Sequence, residues 1–417
     1  MSTHPELARR LGTVDAVVIG LGSMIGAGVF AAFTPAAQAA GSGLLVGLAV
    51  AAFVAYCNAT SSAQLAAAYP TSGGTYIYGR ERLGPWPGFL AGWGFVVGKT
   101  ASSAAMAMTF AAYAAPPGWE RPVAIAAVVL LVAVNYRGVS RTAGLARIIV
   151  AAVLAALTIA VAAVWAGGAA SPGDVPGGGL LAHGWYGILQ SAGLLFFAFA
   201  GYARIATLGE EVKDPRRTIP RTILLALAIA AAVYAIVGVT LLAALGPDGV
   251  ASTSAPLADA VVAGGWAWAA PVVRVGAALA SLGALLALVA GLGRTTLAMA
   301  REGDLPHWLA AIHPRFQVPH RAELALGAVI CVIIAVADLR GAIAFSSFGV
   351  LVYYLVANLA AFTQSGADRR YPKVLQVLGA LACVVLVATL PLAAVLVGLV
   401  IFAAGAAYRM ARLRRRA

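Results

Sequence analysis

Apolar stretches of about twenty residues follow one another along the whole of this chain, each long enough to cross a hydrocarbon core of about 30 Å. Lipid offers no partner for a free N–H or C=O, so such segments fold as helices whose backbone bonds close on themselves. Between polar punctuation the runs lie near 13–38, 41–66, 86–114, 121–137, 143–166, 184–207, 220–245, 268–299, 322–338, 341–363, 373–388 and 390–408. The expectation is an all-α polytopic membrane protein of about twelve transmembrane helices. Composition excludes the soluble alternative: 62% of the residues are hydrophobic and 10% charged, against roughly 45–50% and 25% in soluble domains. Nothing is left over for a large domain outside the bilayer.

The net charge of +13 reads as topology. A nucleic-acid partner would need a basic face on a soluble domain, and none is available. With the N-terminus in the cytoplasm, the even-numbered loops and both tails gather Arg9, Arg10, Arg80, Arg82, Arg137, Arg141, Lys213, Arg216, Arg217, Arg221, Arg301, Arg315, Arg321, Arg369, Arg370, Lys373 and the cluster from Arg412 to Arg416. The opposite side keeps Arg121 and Arg340. Moving the frame by one span reverses this asymmetry, so both termini are expected in the cytoplasm of a bacterial inner membrane. Residues 1–12 and 409–417 then read as cytoplasmic tails, the second a basic, solvated end, although an anionic-lipid contact fits the same charges. The apolar segment after Arg9 and Arg10 is too long for a signal-peptide core and lacks a cleavage pattern, so it is expected to stay in the mature chain.

Enzyme and metal chemistry find little support. His4, His183, His307, His313 and His320 fall in tails or loops, and the chain has no HExxH, no GxSxG elbow and no carboxylate pair at catalytic spacing. Cys57, Cys331 and Cys383 are far apart, without CxxC spacing or a neighbouring histidine, which marks them as small packing residues. No cofactor and no metal are expected.

The first span carries Gly22-Ser23-Met24-Ile25-Gly26-Ala27-Gly28. Three glycines at mid-depth weaken a helix and permit it to unwind. The freed backbone groups must then be buried in protein or line a cavity. The same glycines also fit small-residue helix packing, since Gly22 and Gly26 have GxxxG spacing. Span 6 has a weaker interruption, Phe197-Ala198-Phe199-Ala200-Gly201. Breaks five spans apart are the pattern of an inverted-repeat transporter with its site at the membrane midplane. A channel would use irregular backbone too, but the paired breaks favour alternating access.

Together these residues resemble the amino acid–polyamine–organocation (APC) superfamily of permeases. The first-helix signature is matched by Ser23-Met24-Ile25-Gly26-Ala27-Gly28-Val29-Phe30. Further matches follow in order at Tyr69 to Tyr76, at Phe196 to Gly201 with Glu210-Glu211-Val212, at Pro215 to Pro220, and at Ala298 to Pro306. The resemblance implies a leucine-transporter-like architecture, with a first inverted repeat over 13–166, a second over 184–363, and two peripheral helices over 373–408. It also implies an amino-acid-like substrate. In such permeases the substrate carboxylate sits on backbone amides of the first break, here Ala27 and Gly28, at a helix N-terminus that favours an anion. The ammonium would be held by carbonyls at Met24, Phe197, Ala198 and Ala200, with Phe199 as a lid. Ser23, Ile25, Gly26 and Gly201 complete the candidate substrate site.

Departures from the family pattern are informative. Lys99, followed by Thr100, lies deep in span 3 without a charged neighbour for a turn either way. A buried ammonium at mid-depth costs at least about 2.5–3.5 kcal/mol and must face a cavity or a partner. Some sodium-independent members carry a lysine on the fifth helix in place of a coupling ion, whereas Arg147 to Val153 here offers an apolar residue at the aligned position. Lys99 is therefore a candidate for that electrostatic role, as a fixed charge, as a group releasing a proton on desolvation, or as a purely structural donor. Arg204, past the second break, either attracts an acidic substrate side chain or pairs with Glu210 or Glu211; an arginine does not carry protons. Arg274 and Arg294 flank span 8, and Arg294 is expected in an interface or loop pair. Span 8 around Ser281 lacks paired hydroxyls for sodium, and Gln64 replaces a glutamate common in relatives. Sodium-independent, proton-coupled or exchange transport of an amino acid or close amine analogue is the resulting expectation. With no acidic lining residue, a neutral amino acid is favoured over arginine or polyamines.

Overall fold

The computed structural model describes residues 11–70, 73–138, 143–168, 170, 171, 173, 175, 179–208 and 211–414. Its helices, in chain order, are α1 (Thr13–Met24), α2 (Ala27–Ala31), α3 (Phe33–Ala40), α4 (Leu44–Ala68), α5 (Gly74–Leu83), α6 (Pro85–Ala114), α7 (Glu120–Tyr136), α8 (Ala143–Ala166), α9 (Gly184–Phe199), α10 (Ala203–Ala206), α11 (Pro215–Ser252), α12 (Pro256–Ala263), α13 (Ala270–Arg301), α14 (His320–Val336), α15 (Leu339–Phe362), α16 (Lys373–Thr389) and α17 (Leu392–Arg414). Among the described residues there is no strand, only an isolated bridge in which Leu11 pairs with Val212. Each apolar run read from the sequence is occupied by helix. The short α5 and α12 fall in segments read as loops.

Eight helical stretches among the described residues are long and apolar enough to cross a membrane: Thr13–Ala31, Phe33–Ala68, Gly144–Ala166, Gly184–Ala206, Pro215–Ser252, Ala267–Arg301, Leu339–Phe362 and Leu392–Arg414. Lys373–Thr389 is apolar but shorter. Helices α7 and α14 have 17 residues each, while α6 is diluted by glycine, serine, threonine and Lys99.

Local chemistry sets the helix ends. Gly84 terminates α5 at φ 100°, a backbone that an L side chain would strain, and Pro85 opens α6 with φ already fixed for a first helical turn. Gly246, at φ 64° and followed by Pro247, bends α11. The carboxylate of Asp338 accepts the Gly341 N–H at 2.8 Å and caps α15.

Helix α6 lies between α13 and α15, α4 packs on α9 and α11, α1 on α11 and α8, and α7 on α14. The bundle turns apolar side chains outward: Leu130, Val332, Val336, Leu381, Leu396 and Val400 are each more than half exposed. Such a belt is stable only against lipid. Trp119, Trp185 and Trp268 stand exposed at the starts of α7, α9 and α13, as interfacial aromatics do. Arg409 departs from the expected solvated tail. Helix α17 continues through Arg414, and Arg409 is 5% exposed because it forms an ion pair with the buried carboxylate of Asp304 at 2.6 Å. Arg9, Arg10, Arg141, Arg415 and Arg416 lie outside the described residues.

Candidate functional site

The two interrupted helices meet. Helix α1 loses its helical geometry at Ile25 (φ −77°, ψ 23°) and Gly26 (φ −74°, ψ −130°), and the chain restarts as α2 at Ala27. Helix α9 runs on through Phe199 and tightens into a 3-10 turn over Ala200–Tyr202 before α10. The second break thus begins only at Ala200 and changes the helix type without unwinding it. A single glycine is available there, and packing consumes it. A Cβ on Gly201 would lie 2.3 Å from the Ser23 carbonyl oxygen and 2.7 Å from the Met24 nitrogen. Gly28 is equally pinned, its notional Cβ 2.7 Å from the Cα of Ala198, while that of Gly26 would lie 2.9 Å from the Cβ of Ala284. Both readings of the span 1 glycines therefore apply at once: the chain unwinds at Gly26, and its neighbours approach too closely for a side chain.

Carbonyls at these irregular turns have found protein partners. The Tyr234 hydroxyl on α11 lies 2.6 Å from the Met24 oxygen and 3.1 Å from the Ala198 oxygen, one proton shared between the two breaks. The Ala200 oxygen accepts from the Lys99 ammonium at 3.3 Å and from the Tyr354 hydroxyl at 3.4 Å. On the other side of the first break, Tyr113 donates to the Phe30 oxygen at 3.2 Å and meets the Phe30 ring edge-on. Tyrosines inside apolar runs, which the sequence reading passes over, are the sequence feature that points to such residues. Their partners were not legible, because they come from other helices.

A cavity of about 550 Å³ opens beside the junction. It is lined by Ser23, Lys99, Ala200 and Gly201, with Phe95 and Met106 of α6 and Ala284, Ala287 and Leu288 of α13 as apolar walls. Its lining also includes Gly73, Tyr76, Ile77, Arg204, Thr207, Glu211, Arg294 and Thr295. Lys99 is 7% exposed. Arg204 donates to the Thr207 hydroxyl at 3.2 Å. Glu211 is an acidic lining residue that the sequence reading leaves out of the site, and Arg294 faces the cavity rather than a loop pair. Glu210 lies outside the described residues.

Of the expected site residues, Ser23, Lys99, Ala200, Gly201 and Arg204 come together around the cavity. Met24, Ala27, Gly28, Phe197, Ala198, Phe199 and Thr100 are buried outside its lining. Phe199 is fully buried against Tyr234, ring centroids 5.0 Å apart, and Thr100 donates to the Val96 oxygen at 2.7 Å within α6. Ile25 and Gly26 adjoin a separate crevice of about 10 Å³ with Gly22, Ile149, Val150, Val153 and Ala280.

The amino acid permease family model matches residues 11–410. This chain belongs to that family. The permease is 60% identical over 411 residues to an uncharacterized transporter of Mycobacterium tuberculosis, an alignment that covers 98% of this chain and 92% of the relative. It is 29% identical to the chloroplastic cationic amino acid transporter 7 of Arabidopsis thaliana, over 86% of this chain and 66% of that one. It is 26% identical to a branched-chain amino acid permease of Bacillus subtilis, over 86% and 81%. The permease is thus a multi-pass membrane protein of amino acid transport, and its family and relatives are transporters, not enzymes.

Beside the cavity-lining Tyr76, Asp304 gathers three donors. Its carboxylate accepts from Arg409 at 2.6 Å, from the Tyr76 hydroxyl at 2.8 Å and from Arg80 at 3.1 Å. The Arg409 guanidinium also lies 4.9 Å from the ring centroids of Trp86 and of Phe89. Tyr76 lines the cavity, so this cluster ties the end of α17 to the wall of the site.

Proposed function

We propose that the protein is a secondary carrier that moves an amino acid across a bacterial plasma membrane by alternating access. The observation that carries this reading is the cavity ending on the junction of two interrupted helices, at Lys99 and the Ala200 carbonyl. A cavity at a helix break is the geometry an alternating-access site needs. Phe30 and Tyr113 fill the far side in this conformation.

The architecture we infer is two inverted repeats, residues 13–166 and 184–363, with α16 and α17 peripheral, twelve spans in all and both termini cytoplasmic. The packing supports it through its symmetry. If the first five spans exchange with the next five, the α1–α11 contact maps onto the α9–α4 contact, α6–α13 and α7–α14 map onto themselves, and α6–α15 maps onto α13–α8. All of these contacts exist.

Coupling is read as sodium-independent, through protons or exchange. The crevice between α1, α8 and α13 is walled by Ile149, Val150 and Val153, which offer no side-chain oxygen to a hard cation. Lys99 supplies a positive charge near the break instead. For the substrate to reach the amides of Ala27 and Gly28, α2 would have to move away from Ala198; as the helices now stand, Ser23, Ala200, Gly201 and Lys99 are the groups within reach. Of the relatives' substrates, a cationic amino acid suits this cavity poorly, because Lys99, Arg204 and Arg294 line it.

Uptake and counterflow in liposomes containing the purified protein test the proposal. A saturable, stereoselective flux that persists when sodium is replaced by choline is expected. An unsaturable conductance would exclude a carrier. Lys99→Ala and Lys99→Gln should slow transport or alter its pH dependence, and unchanged behaviour in both would remove Lys99 from coupling.

A further inference from the structure

Four charged side chains line the cavity: Lys99, Arg204, Arg294 and Glu211. Among the described residues, the ion pairs lie elsewhere, joining Arg80 to Glu302 and Asp304, Arg147 to Asp15, Arg217 to Asp214, and Arg409 to Asp304. Lys99 donates to a neutral carbonyl and Arg204 to a neutral hydroxyl. Glu211 sits in the segment that pairs with Leu11, its backbone oxygen accepting the Leu11 N–H at 3.0 Å. Three cations against one carboxylate thus line a space large enough for an amino acid, and a second carboxylate, Glu323, is buried behind the lining against Gly293, next to Arg294. Charges in a partly dry cleft act on a solute far more strongly than charges in water.

From this we infer that the transported amino acid bears a second carboxylate on its side chain, and that Arg204 with Arg294 selects it. The inference rests on the carrier reading above. A zwitterion brings one negative and one positive group, so a neutral substrate would leave the cavity strongly positive, and a cationic one would add to the excess. A substrate with two carboxylates and one ammonium offsets it. One carboxylate can draw the Lys99 ammonium to itself, and the Ala200 oxygen that Lys99 then releases accepts from the substrate ammonium. The second carboxylate then faces Arg204 and Arg294, which stand within the same lining. The planar guanidinium fork of arginine suits a carboxylate, which it can hold through two parallel hydrogen bonds.

The deciding comparison is between L-glutamate and L-glutamine, which share shape and differ in charge. In counterflow from liposomes loaded with a mixture of amino acids, L-glutamate should exchange with at least about thirtyfold lower half-saturation than L-glutamine, the factor expected when a buried charge pair loses one partner. L-Leucine and L-arginine should exchange more weakly still. Arg204→Gln should raise the L-glutamate half-saturation by a similar factor and narrow its lead over L-glutamine, whereas Arg204→Lys, which keeps the charge but loses the fork, should fall between the parent and Arg204→Gln. Because that variant can fail to fold, the same pair is also measured on the unaltered protein as thermal stabilisation in detergent. L-Leucine or L-arginine exchanging better than L-glutamate would overturn the inference and leave the carrier reading standing. Absence of exchange with any amino acid would overturn both.

Discussion

Replacing Asp304 with asparagine removes the charge on which the C-terminal end of α17 depends. Asp304 and Arg409 have side chains only 5% and 6% exposed, so Asp304→Asn strands a guanidinium in a site that water does not reach. Breaking a buried pair from one side costs about 3–5 kcal/mol. The low end applies here, because the asparagine oxygen still accepts and the Trp86 and Phe89 rings still face the cation. The neighbouring Arg80–Glu302 pair, with Glu302 half exposed, adds less than about 1 kcal/mol. At roughly 2 °C or more per kcal/mol, the apparent melting temperature of the detergent-purified protein should fall by roughly 6 °C. Adding Arg409→Met should recover most of the loss, since an apolar chain between two aromatic rings needs no counter-ion. Heating followed by size-exclusion chromatography reads both variants, and the cycle isolates their coupling. A single variant as stable as the parent, or a double variant as unstable as the single, would refute the reasoning.

Gly201→Ala should abolish transport and lower stability by about 1–3 kcal/mol or more, since its Cβ would meet the Ser23 carbonyl, a backbone atom that cannot swing aside; surviving flux at the parental rate in liposomes would contradict the close contact of the breaks. Tyr234→Phe keeps the ring against Phe199 but leaves the Met24 and Ala198 oxygens without its proton, which should cost about 1–3 kcal/mol. Thermal unfolding indistinguishable from the parent would mean that these carbonyls are satisfied in another way. Gln64→Ala removes donation to the Ala361 oxygen and acceptance from the Arg370 and Tyr371 amides. A stability loss of about 1–3 kcal/mol with retained transport is expected, and loss of flux in a stably folded variant would instead give Gln64 a role in the carrier cycle.

Much of this was legible along the chain because it is local. Length and polarity of an apolar run are properties of consecutive residues, so helices from α1 to α17 fall where the runs lie; α5 and α12, of 10 and 8 residues, are too short and mixed to stand out. A charge without neighbours also announces itself, and Lys99 could be picked out as buried and in need of a partner. What it reaches is another matter. The Ala200 oxygen is 101 residues away in sequence, Tyr234 is 210 from Met24, and Arg409 is 105 from Asp304. Nothing in a stretch of apolar residues encodes which distant carbonyl will lose its helical partner and face it. Only the packed bundle brought Arg204, Arg294 and Lys99 to one cavity and turned Arg409 inward, because burial forces each polar group to find a partner among whatever the other helices present.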